Sequence, residues 1–286
     1  MARALPLPIK VDTSGTLSCE HYCARIALEA NFLSNLVQLI KEALPSFITR
    51  LAGINTSVEQ KVLLRALDDV ERAHKRALSK IPHLNYGLYL DTEIVVPAGF
   101  HGNYVAYVDV FLTELPKLER DVTALLAILN RQLSSYLTNK EELISSRNYE
   151  AQFEAAKETR LALEDHLKHF FPGADDRTRA PLSDILDRFE SLNALTPKLD
   201  ALRSLIKTVK LEALNAQLKE CADLSKLLLE RIKEGSLTAV GPNAAKTLSQ
   251  GLYECARDME SLSALYYRLQ EFLQAYRSLV ERIATW

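Results

Sequence analysis

Cysteine is sparse in this chain: four in 286 residues, at Cys19, Cys23, Cys221 and Cys255. Cysteines so few and so widely spread in a chain this long do not build a disulfide framework, and the expectation is a soluble protein made in a reducing compartment. Glycine and proline are scarce as well, with 9 and 10 residues against 48% hydrophobic content. That balance excludes a disordered chain and supplies enough apolar material for a real core, as one large or two ordinary domains. A charge surplus is also missing. The formal net charge of −2 gives no long-range attraction to nucleic acid or to an anionic membrane. No apolar run reaches the roughly 18 residues of a membrane span. The start, "MARALPLPIKVDTSG", lacks the apolar stretch of a signal peptide, because Pro6, Pro8, Lys10 and Asp12 interrupt it. The motifs that announce common chemistries are absent too: no phosphate-binding Gly loop with Lys-Ser/Thr, no GxGxxG, HExxH, CxxC or GxSxG.

What is present is helical periodicity. Residues 1–15 read as an extended arm, since Pro6 and Pro8 disfavour helix for themselves and for the residues before them. Ser18 can cap a helix whose apolar positions Ile26, Leu33, Val37, Ile40 and Leu44 recur at helical steps. Thr56 and Glu59 form a capping-box pattern that starts another helix, running to about Ser79. Leu118, Val122, Leu125, Leu129, Leu133 and Leu137 predict a third, and residues 141–170 a fourth. "FPGADDRTRAP" is the clearest interruption, and 172–181 is expected to be a linker. A short helix is expected over 182–195 and a long one from Pro197 to Lys233, with Pro197 in its first turn.

Two segments stand out. In "YLDTEIVVPAGFHGNYVAYVDVF" (89–111), two β-rich runs flank a Pro-Ala-Gly-Phe-His-Gly loop, and residues 88–111 suggest a hairpin-like insertion. Its second arm is ambiguous, because Val105, Val108, Phe111, Leu112 and Leu115 also fit a helix. From Pro242 onward, Leu248, Leu252, Cys255, Met259, Leu262, Tyr266, Leu269, Leu273, Tyr276, Val280 and Ile283 repeat at alternating steps of four and three. A period of about 3.5 is a coiled-coil seam, and its expected partner is the antiparallel helix over 197–233.

Candidate chemistry is thin. Cys19, His21 and Cys23 are ligand types without a nearby fourth, and read as half-buried cysteines at a helix start. His166 and His169 share a helix face but lack the Glu-x-x-His pattern of bundle di-metal sites, so they read as partners of a helix C-terminus. Asp175-Asp176 and Asp68-Asp69 lack the Asp-Asp-x-x-Asp spacing that holds magnesium in helical isoprenoid synthases. Lys75, Arg76 and Lys80, and Arg203, Lys207 and Lys210, form short basic stripes interleaved with Glu71, Glu212 and Glu220, as on a salt-bridged outer face. No catalytic, metal or cofactor-binding residue is assigned, and no cofactor is expected.

The arm "LPLPIKVDTSGTLS", the long helices and "DTEIVVPAGFHGNYVAYVDVF" together resemble, in texture and without a diagnostic motif, the helical virion structural proteins of large tailed bacteriophages. The resemblance implies a non-enzymatic assembly subunit. An apolar hairpin between long helices is also similar to the layout of α-helical pore-forming toxins; here Leu88–Phe111 would be the membrane-active tongue. Asp91, Glu93, His101 and Asp109 would be costly in hydrocarbon. A helical enzyme whose site is built from distant residues is the third reading.

The expectation is therefore a mostly α, elongated helical bundle with a long antiparallel coiled-coil hairpin and one small β-hairpin-like insertion. Its divisions are an arm at 1–15, a helical domain at 16–171 carrying the insertion 88–111, the linker 172–181 and a coiled-coil hairpin at 182–286. The expected role is a structural subunit of a larger complex, such as a virion, cytoplasmic as synthesised. Its partners are other protein subunits in a homo- or hetero-oligomer; nucleic acid is not strongly indicated, and a membrane is second choice. Candidate interface residues are Ile94, Val95, Val96 and Phe100 on the hairpin and Leu262 and Leu269 on the seam. Phe100 at an otherwise polar tip is either an interaction anchor or a residue folded back onto the helical body.

Overall fold

The computed structural model describes residues 44, 45, 47–49, 60–138, 146–173, 176–209, 211–234 and 242–286. The protein is mostly α, a helical bundle with one small antiparallel sheet. The order is α1 (Gln60–Lys80), two single 3₁₀ turns (Ile81–His83 and Tyr86–Leu88), β1 (Glu93–Val95), α2 (Tyr104–Leu137), α3 (Ser146–Phe170), β2 (Arg179–Pro181), α4 (Leu182–Ile185), α5 (Ser191–Thr208), α6 (Leu211–Lys233) and α7 (Pro242–Thr285). The arm 1–15, the helix expected from Ser18, the Cys19–His21–Cys23 group and the Thr56–Glu59 capping box lie outside the described residues.

The C-terminal helix organises the bundle. At 44 residues α7 is about 66 Å long, and it packs on α1, α2 and α3. Every residue of the predicted seam, Leu262 and Leu269 included, is buried. The buried face is nevertheless wider than a two-helix seam. Gly251, Asp258, Leu265, Phe272 and Leu279, each seven residues apart, form a further buried ladder. A helix surrounded by three others needs a broad apolar face, whereas a coiled-coil helix needs only a stripe.

The helix predicted over 197–233 is two helices. Val209 turns extended at φ −62°, ψ 128° and ends α5. Pro197 sits inside α5, which begins at Ser191, and not in a first turn. α6 packs chiefly on α2, and α5 on α1 and α2, so α7's main neighbours are helices other than the expected 197–233 partner.

The ambiguous second arm of 88–111 is helix. The Asn103 side chain accepts from the Val105 backbone N–H at 2.7 Å and caps α2. Tyr104, Tyr107, Val108, Phe111, Leu115 and Leu118 then follow the helical period into the core. Pro116 lies inside α2 without ending it. The lost hydrogen bond is offset by an apolar face packed on α3, α6, α7 and α5. A helix satisfies its backbone locally, so the second arm needs no strand partner.

The first arm takes its partner from 84 to 88 residues further on, in the stretch expected to be a linker. β1 pairs antiparallel with β2 through Glu93–Pro181, Ile94–Ala180 and Val95–Arg179. Ile94 and Ala180 point inward and are buried. The outer edge of β1 is closed by side chains: Arg282 donates to the Glu93 carbonyl at 2.6 Å, and Tyr104 to the Val95 carbonyl at 3.3 Å. Pro181 supplies no N–H to the edge of β2. Both devices oppose strand addition to this short sheet.

Candidate functional site

The loop after β1 turns its aromatic residue inward. Phe100 is fully buried, with ring centroids 4.9 Å from Tyr107, 5.3 Å from Tyr104 and 6.0 Å from Phe170. Gly99 and Gly102 adopt positive φ of 70° and 110°, which permits the tight reversal. A Cβ on Gly102 would also meet the Phe170 ring at 3.3 Å. His101 N–H donates to the Phe170 carbonyl at 2.8 Å, and Arg177 Nε to the Phe100 carbonyl at 3.1 Å. Phe100 thus closes the chain's own aromatic core and does not project as a tip. Of the four hairpin candidates, Ile94, Val96 and Phe100 are buried within the chain, and only Val95 offers surface, at 45% exposure. Burial is the physical reason for the correction: a side chain fully enclosed by its own helices has no area left for a partner. Leu262 and Leu269 are likewise enclosed.

Val95 does not stand alone. Leu88, at 76%, closes the second 3₁₀ turn, and Leu90, at 38%, lies between that turn and β1; both are also exposed. The neighbouring aromatics are anchored: Tyr89 stacks on Trp286 at 4.2 Å, and Tyr86 meets Phe189 edge-on at 5.1 Å. The backbone beneath is pinned as well, with Ser183 N–H on the Leu90 carbonyl at 3.1 Å and Leu182 N–H on the Thr92 carbonyl at 3.0 Å. The outcome is a fixed backbone that displays aliphatic side chains.

Three groups of polar side chains lie within or against the core. His74, buried on α1, has Nε2 at 2.9 Å from the Thr196 hydroxyl and Nδ1 at 2.6 Å from the Tyr276 hydroxyl. Burial holds its pKa below the usual histidine value, so at neutral pH it is an uncharged, satisfied core residue. Glu114, fully buried on α2, accepts from Lys117 at 3.2 Å and has Nδ1 of His166 at 3.1 Å. His166 thus meets a carboxylate on the neighbouring helix. The third group is the deepest. Arg160 on α3 donates Nη1 to Asp258 and, at 2.8 Å, Nη2 to Glu254, both carboxylates on α7. Thr159 donates to Asp121 of α2 at 2.7 Å. Burial pushes the Asp258 carboxyl up to about 6 against the pull of Arg160, with Glu254 and Asp121 adding to the rise.

Sequence reasoning passed over Asp258 and Arg160. A signal was there: an acid on the seven-residue ladder that starts at Gly251 must be buried. Its cation is 98 residues away and could be found only by packing.

Of the basic stripes, Arg203 is engaged in ion pairs, and Lys210 lies outside the described residues. Arg203 contacts Glu71 at 2.7 Å and Asp68 at 2.5 Å, while Asp69 takes Arg277 at 2.8 Å. Among the described residues no cluster of three or more His, Cys, Asp or Glu is arranged to hold a metal ion. Among the same residues no helix is long and apolar enough to cross a membrane. A search for relatives among protein-family models, curated proteins and solved structures finds no match to this chain.

Proposed function

We propose that the chain is a non-enzymatic structural subunit of a larger protein assembly, of the kind that builds phage particles, and that it is cytoplasmic as synthesised. The observation that carries this reading is the display of Leu88, Leu90 and Val95 from a pinned segment. Aliphatic side chains held in water by a fixed backbone form a surface suited to contact with another subunit. The blocked edges of β1 and β2 direct that contact to side chains and away from strand addition. The core polar groups support the same reading, since each serves a neighbouring helix. The membrane-active alternative rests on a hairpin over 88–111, and residues 104–111 are the first turns of α2.

The test is mass photometry and sedimentation velocity of the purified protein and of a Leu88→Asp/Val95→Asp variant. Wild type is expected to self-associate with rising concentration, and the variant to remain monomeric with an unchanged melting temperature. Unchanged association in the variant would refute this surface. Dye release from liposomes by wild type would refute the assembly reading in favour of the membrane one.

A further inference from the structure

We infer that Asp258 is a built-in proton-binding site, so that the docking of α3 on α7 is linked to pH. The geometry begins with charge. One guanidinium, Arg160, faces two carboxylates of α7 placed one helical turn apart, Glu254 and Asp258. A third carboxylate, Asp121 of α2, is held beside them by Thr159, the residue preceding Arg160. Arg120 approaches Asp121 at 3.4 Å but is largely exposed and weakened by water. On α6, Cys221 interacts with Cys255 of α7; burial raises both thiols and keeps them uncharged. Arg257 and Glu164 pair with each other at 4.0 Å, both partly exposed. The centre therefore carries more negative charge than Arg160 can neutralise, and Asp258 at its middle is shut off from water.

The atoms show where the proton goes. Asp258 is fully buried, and Oδ1 accepts from Arg160. Oδ2 has no hydrogen-bond partner among the described residues, and neither does Arg160 Nε. A proton taken from solvent forms an O–H bond at Oδ2 and leaves the Oδ1 contact in place. Arg160 keeps its charge and its second carboxylate, Glu254. The like-charge repulsion with Glu254 and Asp121 is removed at the same step. Burial raises the Asp258 carboxyl to about 6, in the same direction.

The sign follows from linkage. The folded carboxyl titrates above its unfolded value of 3.8, so the folded chain binds more protons between about pH 4 and 6. This group stabilises the fold on acidification and loses that stabilisation as pH rises through the folded pKa. The test is urea unfolding across pH 4–7.5 for wild type, Asp258→Asn and Glu254→Gln. The amide of Asp258→Asn keeps the Oδ1 acceptor and cannot titrate. The ratio of the wild-type folding constant to that of Asp258→Asn should rise on the order of a hundredfold from pH 7 to pH 4. A ratio that does not change with pH overturns the inference. Carbon-13 NMR of labelled aspartate in wild type reads the carboxyl directly: a midpoint near 6 is expected, and ionisation complete below pH 4 overturns it. The NMR reading decides even if Asp258→Asn fails to fold. In Glu254→Gln the midpoint should move down, because one like charge is gone and Arg160 is left to Asp258 alone; an unmoved midpoint counts against the charge argument.

Discussion

The hydroxyl of Tyr276 lies 2.6 Å from Nδ1 of His74, across 202 residues of sequence, at the buried contact of α1 and α7. Thr196 of α5 takes the other ring nitrogen at 2.9 Å. One imidazole thus joins three helices, with both nitrogens satisfied, and its chemistry is spent on packing. Tyr276→Phe removes the partner of Nδ1 and leaves a buried polar atom unpaired. The expected loss is about 1–3 kcal/mol of stability, measured by urea unfolding at pH 7. A variant as stable as wild type would mean that water satisfies the ring.

His74 also makes a pH prediction opposite in sign to that of Asp258. Burial lowers its folded pKa below the unfolded value of 6.5. The unfolded chain then binds more protons below that value, so this contribution is present above pH 6.5 and is lost as pH falls through the window below it. His74→Asn should flatten the decline in stability on acidification, whatever its effect at pH 7. Denaturation midpoints at pH 7.5, 6.5 and 5.5 check it, and parallel wild-type and variant curves would exclude His74 as a source of pH dependence.

Gly251 lies where α7 packs tightly against Leu129 of α2 and Phe153 of α3. A Cβ there would stand 2.7 Å from Phe153 Cζ and 3.0 Å from Leu129 Cδ2. Helix propensity alone would favour alanine by about 1 kcal/mol, but overpacking costs about 1–3 kcal/mol. Gly251→Ala is therefore expected to lower the melting temperature. Phe153→Leu should recover part of that loss when combined with it, giving a positive coupling in a double-mutant cycle. A more stable Gly251→Ala would show that the Phe153 ring and the Leu129 methyl move aside freely.

Phe100→Ala separates a core residue from an interface anchor. Complete burial among Tyr104, Tyr107, Phe170 and Phe171 predicts a loss of about 3–5 kcal/mol. The readout is the chemical-denaturation midpoint of the chain on its own. An unchanged midpoint with weakened self-association would return Phe100 to the surface.

The sequence by itself determined that the chain is mostly helical and which apolar ladder its last helix buries. The four–three ladder from Leu248 to Ile283 is buried throughout, because 3.5-residue periodicity is a local property of the chain. It also placed a β element near 93–96, where Glu93, Ile94 and Val95 alternate out, in, out. What only the tertiary structure decided is pairing. Tyr104–Leu115 carried both β and helical patterns, and the Asn103 cap and the neighbouring helices selected helix. β1 then took Arg179–Pro181 as its strand partner. Arg160 met Glu254 and Asp258, and His74 met Thr196 and Tyr276, across separations that no local pattern encodes. Periodicity records which face of an element is apolar; which element covers that face is settled by packing the whole chain at once, and the buried charges and the inward turn of Phe100 follow from that packing.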